Sequence, residues 1–556
     1  MRTYLLTGFI ALAIPAACLS GCTTDYETMG TVMTPGMNLE PEIEEPTGTI
    51  ERNKSFIYAC NFDDTDVTVK SVNCQLEVAD DPVREGKCGK VTMNKCGTSD
   101  CVQIILDHPL DFTLNDAKIT FELYGQKKGA KIVCKLSSSF GEKQYALSPD
   151  RFERETQKSG EWEKFEFDWS AQKPQSNLYN TITIVINQGK DNKTMGEVWY
   201  VDNISVPNSD LSSISLFKRV TNHQAPKPNR SGNADYEWMC NSTANPQILT
   251  PEESDGKNWW LYMRGADGTY GQIGAYTQPK DKFNPIGSWT EVNGGQPVIK
   301  RNFHKNQDEF TAIDPAAVKK PGGNTLYMFY KGLSMTTDPK TGKKVPSILV
   351  AKSEDGVKFQ SVAKVFKENA GVADAVYHDG KYYLFVSRRM YETTDPESGD
   401  AVETQNIIPL GEVYGKDNVA LNFDRYSING QKVTRIGDHW FMFYQCSPCH
   451  DDFPDRIHVA YSSDLKKWKK VKNDIPLFTR GKRHSWDEGA IWAPEVFEYG
   501  DDLYMYYEGW GRGTDDRAQG DTIPNRDKKY FKGGHSEIGV AKCSKKAFLE
   551  WCGTLE

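Results

Sequence analysis

Hydrophobic and polar residues alternate in short runs along most of this chain, and stretches with helical periodicity are scarce. Such alternation belongs to strands, whose successive side chains point to opposite faces. Between residues 55 and 207 it predicts strands at 56–62, 102–106, 118–124, 131–136, 163–169, 181–187 and 198–206. Their number and spacing suit two packed sheets, an N-terminal β-sandwich of jelly-roll type.

Beyond residue 211 the pattern becomes periodic. In 486–511, Ile491-Trp492-Ala493-Pro494-Glu495-Val496 and Leu503-Tyr504-Met505-Tyr506-Tyr507 flank a Tyr-Gly-Asp-Asp turn, which predicts a hairpin. Its aromatic return strand has four earlier counterparts, beginning at Trp260, Leu326, Tyr382 and Trp440. The separations from Trp260 to Leu503 are 66, 56, 58 and 63 residues. Five copies at a near-constant period predict a five-bladed β-propeller over 211–556. Residues 349–355 and 458–464 read as outer strands, 538–543 as a weaker copy, and 391–405 as a long insertion in the third repeat. An inner strand precedes each return strand, and its first polar residue is expected to face the central funnel. Those residues are Asn245, Asp314, Asp374, Arg435 (with Lys432 the other candidate) and Glu495. Carboxylates crowded in a funnel raise one another's pKa, so this convergence points to acid/base chemistry.

Composition adds an address and removes one class of partner. At 556 residues the chain is too long for one core, and its formal charge of −9 argues against nucleic acid as a partner. Arg2 and the apolar run 5–18 form an export signal too short to span a bilayer in the mature protein. Leu19-Ser20-Gly21-Cys22 resembles a bacterial lipobox, which implies cleavage after residue 21 and acylation of Cys22. The expected location is the bacterial cell envelope, periplasmic or surface-facing, with the lipid anchor the one contact with the membrane. Residues 22–54 read as a flexible acidic linker, since 23–51 holds seven acids and neither Lys nor Arg. Six cysteines in the first folded region (60, 74, 88, 96, 101, 134) predict up to three disulfides, and five more follow. Cys446-Ser447-Pro448-Cys449-His450 matches the haem-attachment pattern, but no small helical haem domain surrounds it, so a disulfide or a chance match is the preferred reading.

Asp-Pro inner strands, Trp-Ala-Pro-Glu and Ala-x-Ser-x-Asp outer strands together resemble the five-bladed glycosidases of glycoside hydrolase family 43 and the related invertase-like families. The resemblance implies an Asp base at the start of one inner strand, an orienting Asp on the next and a Glu acid on the one after. Carried onto this chain, it implies Asp314 as base or nucleophile, Asp374 as orienting acid and Glu495 as proton donor. Glu488 is the substitute donor. Two features depart from the family pattern: Asn245 stands where an Asp base is expected, and Trp-Ala-Pro heads the last repeat with a Glu. Arg435 would clamp substrate or steer a carboxylate, and Trp492, Trp486, Trp510 and Trp238 are candidate sugar-stacking rings. Residues 59–64, 162–165 and 199–204 resemble jelly-roll carbohydrate-binding modules, in which Asp63, Asp64 or Asp202 would hold a structural calcium; surface acids at strand ends are the preferred reading. The histidines show no metal-ligand spacing, and no other cofactor is expected. The expected function is hydrolysis of a plant- or algal-type oligo- or polysaccharide, with a non-catalytic glycan-binding lipoprotein as the alternative.

Overall fold

The computed structural model describes residues 56–63, 68–94, 101–106, 109–110, 112, 117–138, 152–172, 178–187, 196–207, 212, 214–220, 225–229, 231–267, 269–339, 344–362, 366–368, 370–404, 407–411, 413–414, 421–425, 427–447, 454–482, 485–487, 489–510 and 536–554. The described chain is all-β, in seven antiparallel sheets, and one α-helix, Lys545–Cys552, follows the last strand. The expected lipidation site Cys22, the signal and linker segments, Asp64, Cys96, Glu488, Cys449 and His450 lie outside the described residues.

Two sheets, of six and five strands, enclose one core between residues 60 and 206, in which Phe121, Phe167, Val91, Ile184 and Trp199 are buried. All seven strands expected here form. Thr68–Val72, Cys74–Asp80, Lys87–Met93 and Phe152–Glu155 join them as additional strands. On the outward face of the larger sheet, Tyr200, Tyr124 and Trp162 stand side by side across adjacent strands. Beside them Arg84 pairs with Asp81, Glu122 and Asp202 at 2.7–3.0 Å and lies 4.1 Å over the Trp162 ring. Asp202, one of the three candidate calcium ligands, thus meets a guanidinium, while Asp63, another, accepts a backbone hydrogen bond from Lys87.

The expected disulfides require correction: no disulfide joins any two of the described cysteines. Cys134 instead faces the core of this region as a buried thiol, Cys88 is buried on the other face near Asp81, Arg84 and Asp202, and burial pushes both above the ordinary thiol range.

Residues 218–544 build the other five sheets. Each runs from an innermost strand outward, and the innermost strands are Ser242–Leu249, Thr311–Lys319, Asp374–His378, Ser427–Ile436 and Ala490–Tyr499. Each touches the next in order, and the fifth returns to touch the first, so they form a ring. The return strands explain the aromatic repeats. Tyr327 and Phe329 pack toward the third sheet while Met328 and Tyr330 pack toward the first. Likewise Phe441 and Phe443 face the fifth sheet, and Met442 and Tyr444 the third. Both faces of every such strand are covered, so consecutive positions are apolar rather than alternating. Residues 391–405 are not an insertion: Arg389–Thr393 and Val402–Thr404 are the outer strands of the third sheet.

A buried Asp recurs under three sheets. Tyr330, Tyr444 and Tyr507 donate their hydroxyls to Asp308, Asp424 and Asp487 at 2.9, 3.5 and 2.9 Å. The fifth sheet contains the two-residue strand Lys218–Arg219, paired with Ser536–Ser544. Arg219 bonds Asp487 at 2.7 Å and lies 4.3 Å over the Phe478 ring.

Candidate active site

The innermost strands carry a local irregularity that sets the site. Register shifts fall between Ala244 and Gln247, Ile313 and Ala316, Asn429 and Lys432, and Trp492 and Glu495. Within each bulge one residue takes the left-handed conformation: Asn245 (φ 45), Asp314 (φ 56), Gly430 (φ 54) and Ala493 (φ 46). Asn, Asp and Gly tolerate this region best, and Ala493 holds it at a cost of about 1–3 kcal/mol. Two residues further on, a second layer forms. Gln247, Ala316, Asp374, Lys432 and Glu495 all occupy the same register against their return strands, opposite Tyr262, Phe329, Phe385, Phe443 and Tyr506.

This second layer is a buried charge cluster. Lys432 Nζ lies 4.0 Å from Asp374 Oδ1 and 3.7 Å from Glu495 Oε2, and it donates to the Pro315 carbonyl at 3.4 Å. Asp374 accepts from the Val433 amide at 2.7 Å and from Gln247 Nε2 at 3.4 Å. Glu495 accepts from the Ile248 amide at 3.1 Å. Burial holds both carboxyls above the usual range against the opposing pull of Lys432. The expected polar convergence therefore exists for Asp374 and Glu495. Its basic member is Lys432, with Arg435 three residues beyond on the same strand, exposed at the other end of the ring.

Two cavities open on either side of this layer. The smaller, about 130 Å³, lies where the inner strands begin and is lined by Asn245, Asp314, Trp492, Arg264, Lys331 and Glu508 among others. Asp314 is the more open carboxylate, with a side chain 19% exposed and Lys331 Nζ 3.6 Å away. Glu508, 2% exposed, accepts from Trp510 Nε1 at 2.7 Å and from the Asn245 amide at 3.3 Å, with Arg264 3.6 Å away. Lys432 also lines this cavity, so one ammonium group closes its floor and neutralises the layer behind. The larger cavity, about 870 Å³, lies where the inner strands end and is lined by Asp374, Glu495, Arg435 and Trp440 among others.

The structure thus separates the expected catalytic set. Asp314 faces one cavity, Asp374 and Glu495 line the other, and the bulge between the two layers is the reason. Three expected stacking rings are placed elsewhere. Trp238 is core, its Nε1 donating to the Gly295 carbonyl at 2.9 Å and its ring filling the space above Gly265 and Gly274. Trp486 is stacked on Tyr507 and lines neither cavity. Trp510 is buried and orients Glu508. Arg264, Lys331 and Glu508 were not anticipated. Each stands two residues past the return-strand position that faces the charge layer, and that common offset is a readable signal.

No family profile and no curated protein matches the sequence. Solved structures do resemble it. An N-acetylgalactosamine deacetylase from F. plautii is 14% identical, covering 61% of this chain and 99% of its own at a TM-score of 0.44. A glycosyl hydrolase from Bacteroides ovatus is 14% identical, covering 59% and 94% at 0.40. An exo-1,5-α-L-arabinanase from a bovine ruminal metagenomic library is 15% identical, covering 48% and 88% at 0.32. At such identities and scores the chemistry of this chain rests on its own residues.

Proposed function

We propose that the protein is a glycoside hydrolase, a five-bladed β-propeller behind a sandwich of carbohydrate-binding type, with its reaction centre in the smaller cavity. The observation that carries this reading is Asp314. It is a partly exposed carboxylate in a strained conformation, facing a cavity shared with Glu508, Arg264 and Lys331. Strained, charged residues that converge in a cavity are characteristic of working sites. Asp314 is the base or nucleophile and Glu508 the second carboxyl, with Lys331 and Arg264 as orienting cations. Asp374, Lys432 and Glu495 form a supporting layer that fixes the field from below. A neutral plant- or algal-type glycan is the proposed substrate, and Leu19–Cys22 supports a lipid-anchored envelope protein.

Release of reducing ends from arabinan, xylan and galactan by the purified full chain tests this. Asp314→Asn should lower kcat by about 10²–10⁴ with folding intact, and Glu495→Gln should lower it far less. A D314N protein that turns over at the wild-type rate, beside an inactive E495Q protein, would move the reaction centre to the larger cavity.

The second reading, non-catalytic glycan binding, is favoured by one observation. Asn245 occupies in the first sheet the bulge position that Asp314 holds in the second. Saturable binding of these glycans without any released sugar would establish it.

A further inference from the structure

We propose that the larger cavity is a second binding site, for neutral oligosaccharide, with Trp440 as its platform. This rests on the glycan reading above but not on catalysis. The cavity measures about 870 Å³, within the ~300–1,000 Å³ of ligand-binding pockets. It lies at the opposite end of the ring from Asp314, beyond the Asp374–Lys432–Glu495 layer.

Trp440 is half-buried and lines this cavity. The His378 ring meets it edge-on at 5.3 Å, and the Arg435 guanidinium lies 6.0 Å from its centroid, so the indole is fixed rather than free to swing. A fixed indole suits stacking against the apolar face of a sugar ring. The cavity lining carries five carboxyl groups against three cations, Lys319, Lys320 and Arg435. This balance disfavours an anionic glycan. A neutral polyhydroxylated chain matches it, because its hydroxyls donate to carboxylates and accept from Arg435 and the lysines. Asp374 and Glu495 then have a double part, neutralising Lys432 inside the ring and flooring this site.

Calorimetric titration of arabinohexaose, xylohexaose and mannohexaose into the full chain carrying Asp314→Asn tests the proposal, because turnover is then suppressed. Adding Tyr124→Ala, Trp162→Ala and Tyr200→Ala together removes the aromatic row of the N-terminal region as a competing platform. Saturable binding of at least one hexaose should survive these changes, and adding Trp440→Ala should weaken it about ten-fold. Arg435→Ala, at an exposed position, should weaken it too and serves if the tryptophan variant does not fold. With Asp314 restored, Trp440→Ala should leave release from a short chromogenic glycoside unchanged. Absence of saturable binding, or binding indifferent to both Trp440→Ala and Arg435→Ala, overturns the proposal. Loss of catalysis in D314N with Trp440-dependent binding retained separates the two sites. A wild-type chain that hydrolyses nothing yet binds through Trp440 sinks the catalytic reading alone.

Discussion

Replacing Lys432 by Met keeps most of its volume and removes its charge from between two buried carboxyls. The side chain is 4% exposed, those of Asp374 and Glu495 are 5% and 12% exposed, and the separations are 4.0 and 3.7 Å. At such distances each attraction is worth about 4 kcal/mol before desolvation is counted. The net cost of removing one partner from a buried pair is about 3–5 kcal/mol, because the remaining charge is left uncompensated. The sign with pH follows from the carboxyls. Burial already raises both above their unfolded values, so the native state holds protons that the unfolded state has released, and stability falls as pH rises through that window. Without Lys432 the two carboxyls rise further and the window widens upward. K432M should therefore lose little stability at pH 5 and the full amount at pH 8, read as urea midpoint or calorimetric Tm. Adding Asp374→Asn and Glu495→Gln should recover most of the loss at pH 8. Equal losses at both pH values, or a triple variant as unstable as K432M, would refute the electrostatic account.

Two further outcomes follow from the bulges and the buried acids. Gly430→Ala drives a methyl group into Gln445 Oε1 at a φ of 54, so urea unfolding should register a loss of about 1–3 kcal/mol. Burial pushes the Asp308 carboxyl up to about 6 from 3.8, so the wild type should lose stability as pH rises between those values. Asp308→Asn, whose amide oxygen still accepts from the His304 amide, should show a flatter Tm profile across that window.

The aromatic return strands were legible because both faces of each sheet are covered, and only consecutive apolar positions satisfy that. The strand Cys74–Asp80 was not, since its mostly exposed positions leave no hydrophobic period to read. The candidate site was half legible. Counting the first polar residue of each inner strand mixed two layers, because Asn245 and Asp314 sit in bulges while Asp374 and Glu495 lie in the layer two residues deeper. Pro246, Pro315 and Pro494, each directly after a left-handed residue, carried that information in the sequence. Glu508 and Lys331 were hidden for another reason: they follow the aromatic run, where attention to hydrophobic period ends.

The pairing of Lys218–Arg219 with Ser536–Ser544 carries a kinetic meaning. The two segments that complete the fifth sheet lie more than three hundred residues apart in the chain, so their contact is among the most non-local in the molecule. The first four sheets can assemble as each emerges from synthesis, but the last must wait until residue 544 has been made. Until then the outer edge of Asp502–Trp510 lacks its partner strand, and such an edge invites pairing with another chain. During biogenesis, the chain is therefore most exposed to aggregation and proteolysis in the interval just before its final strand arrives.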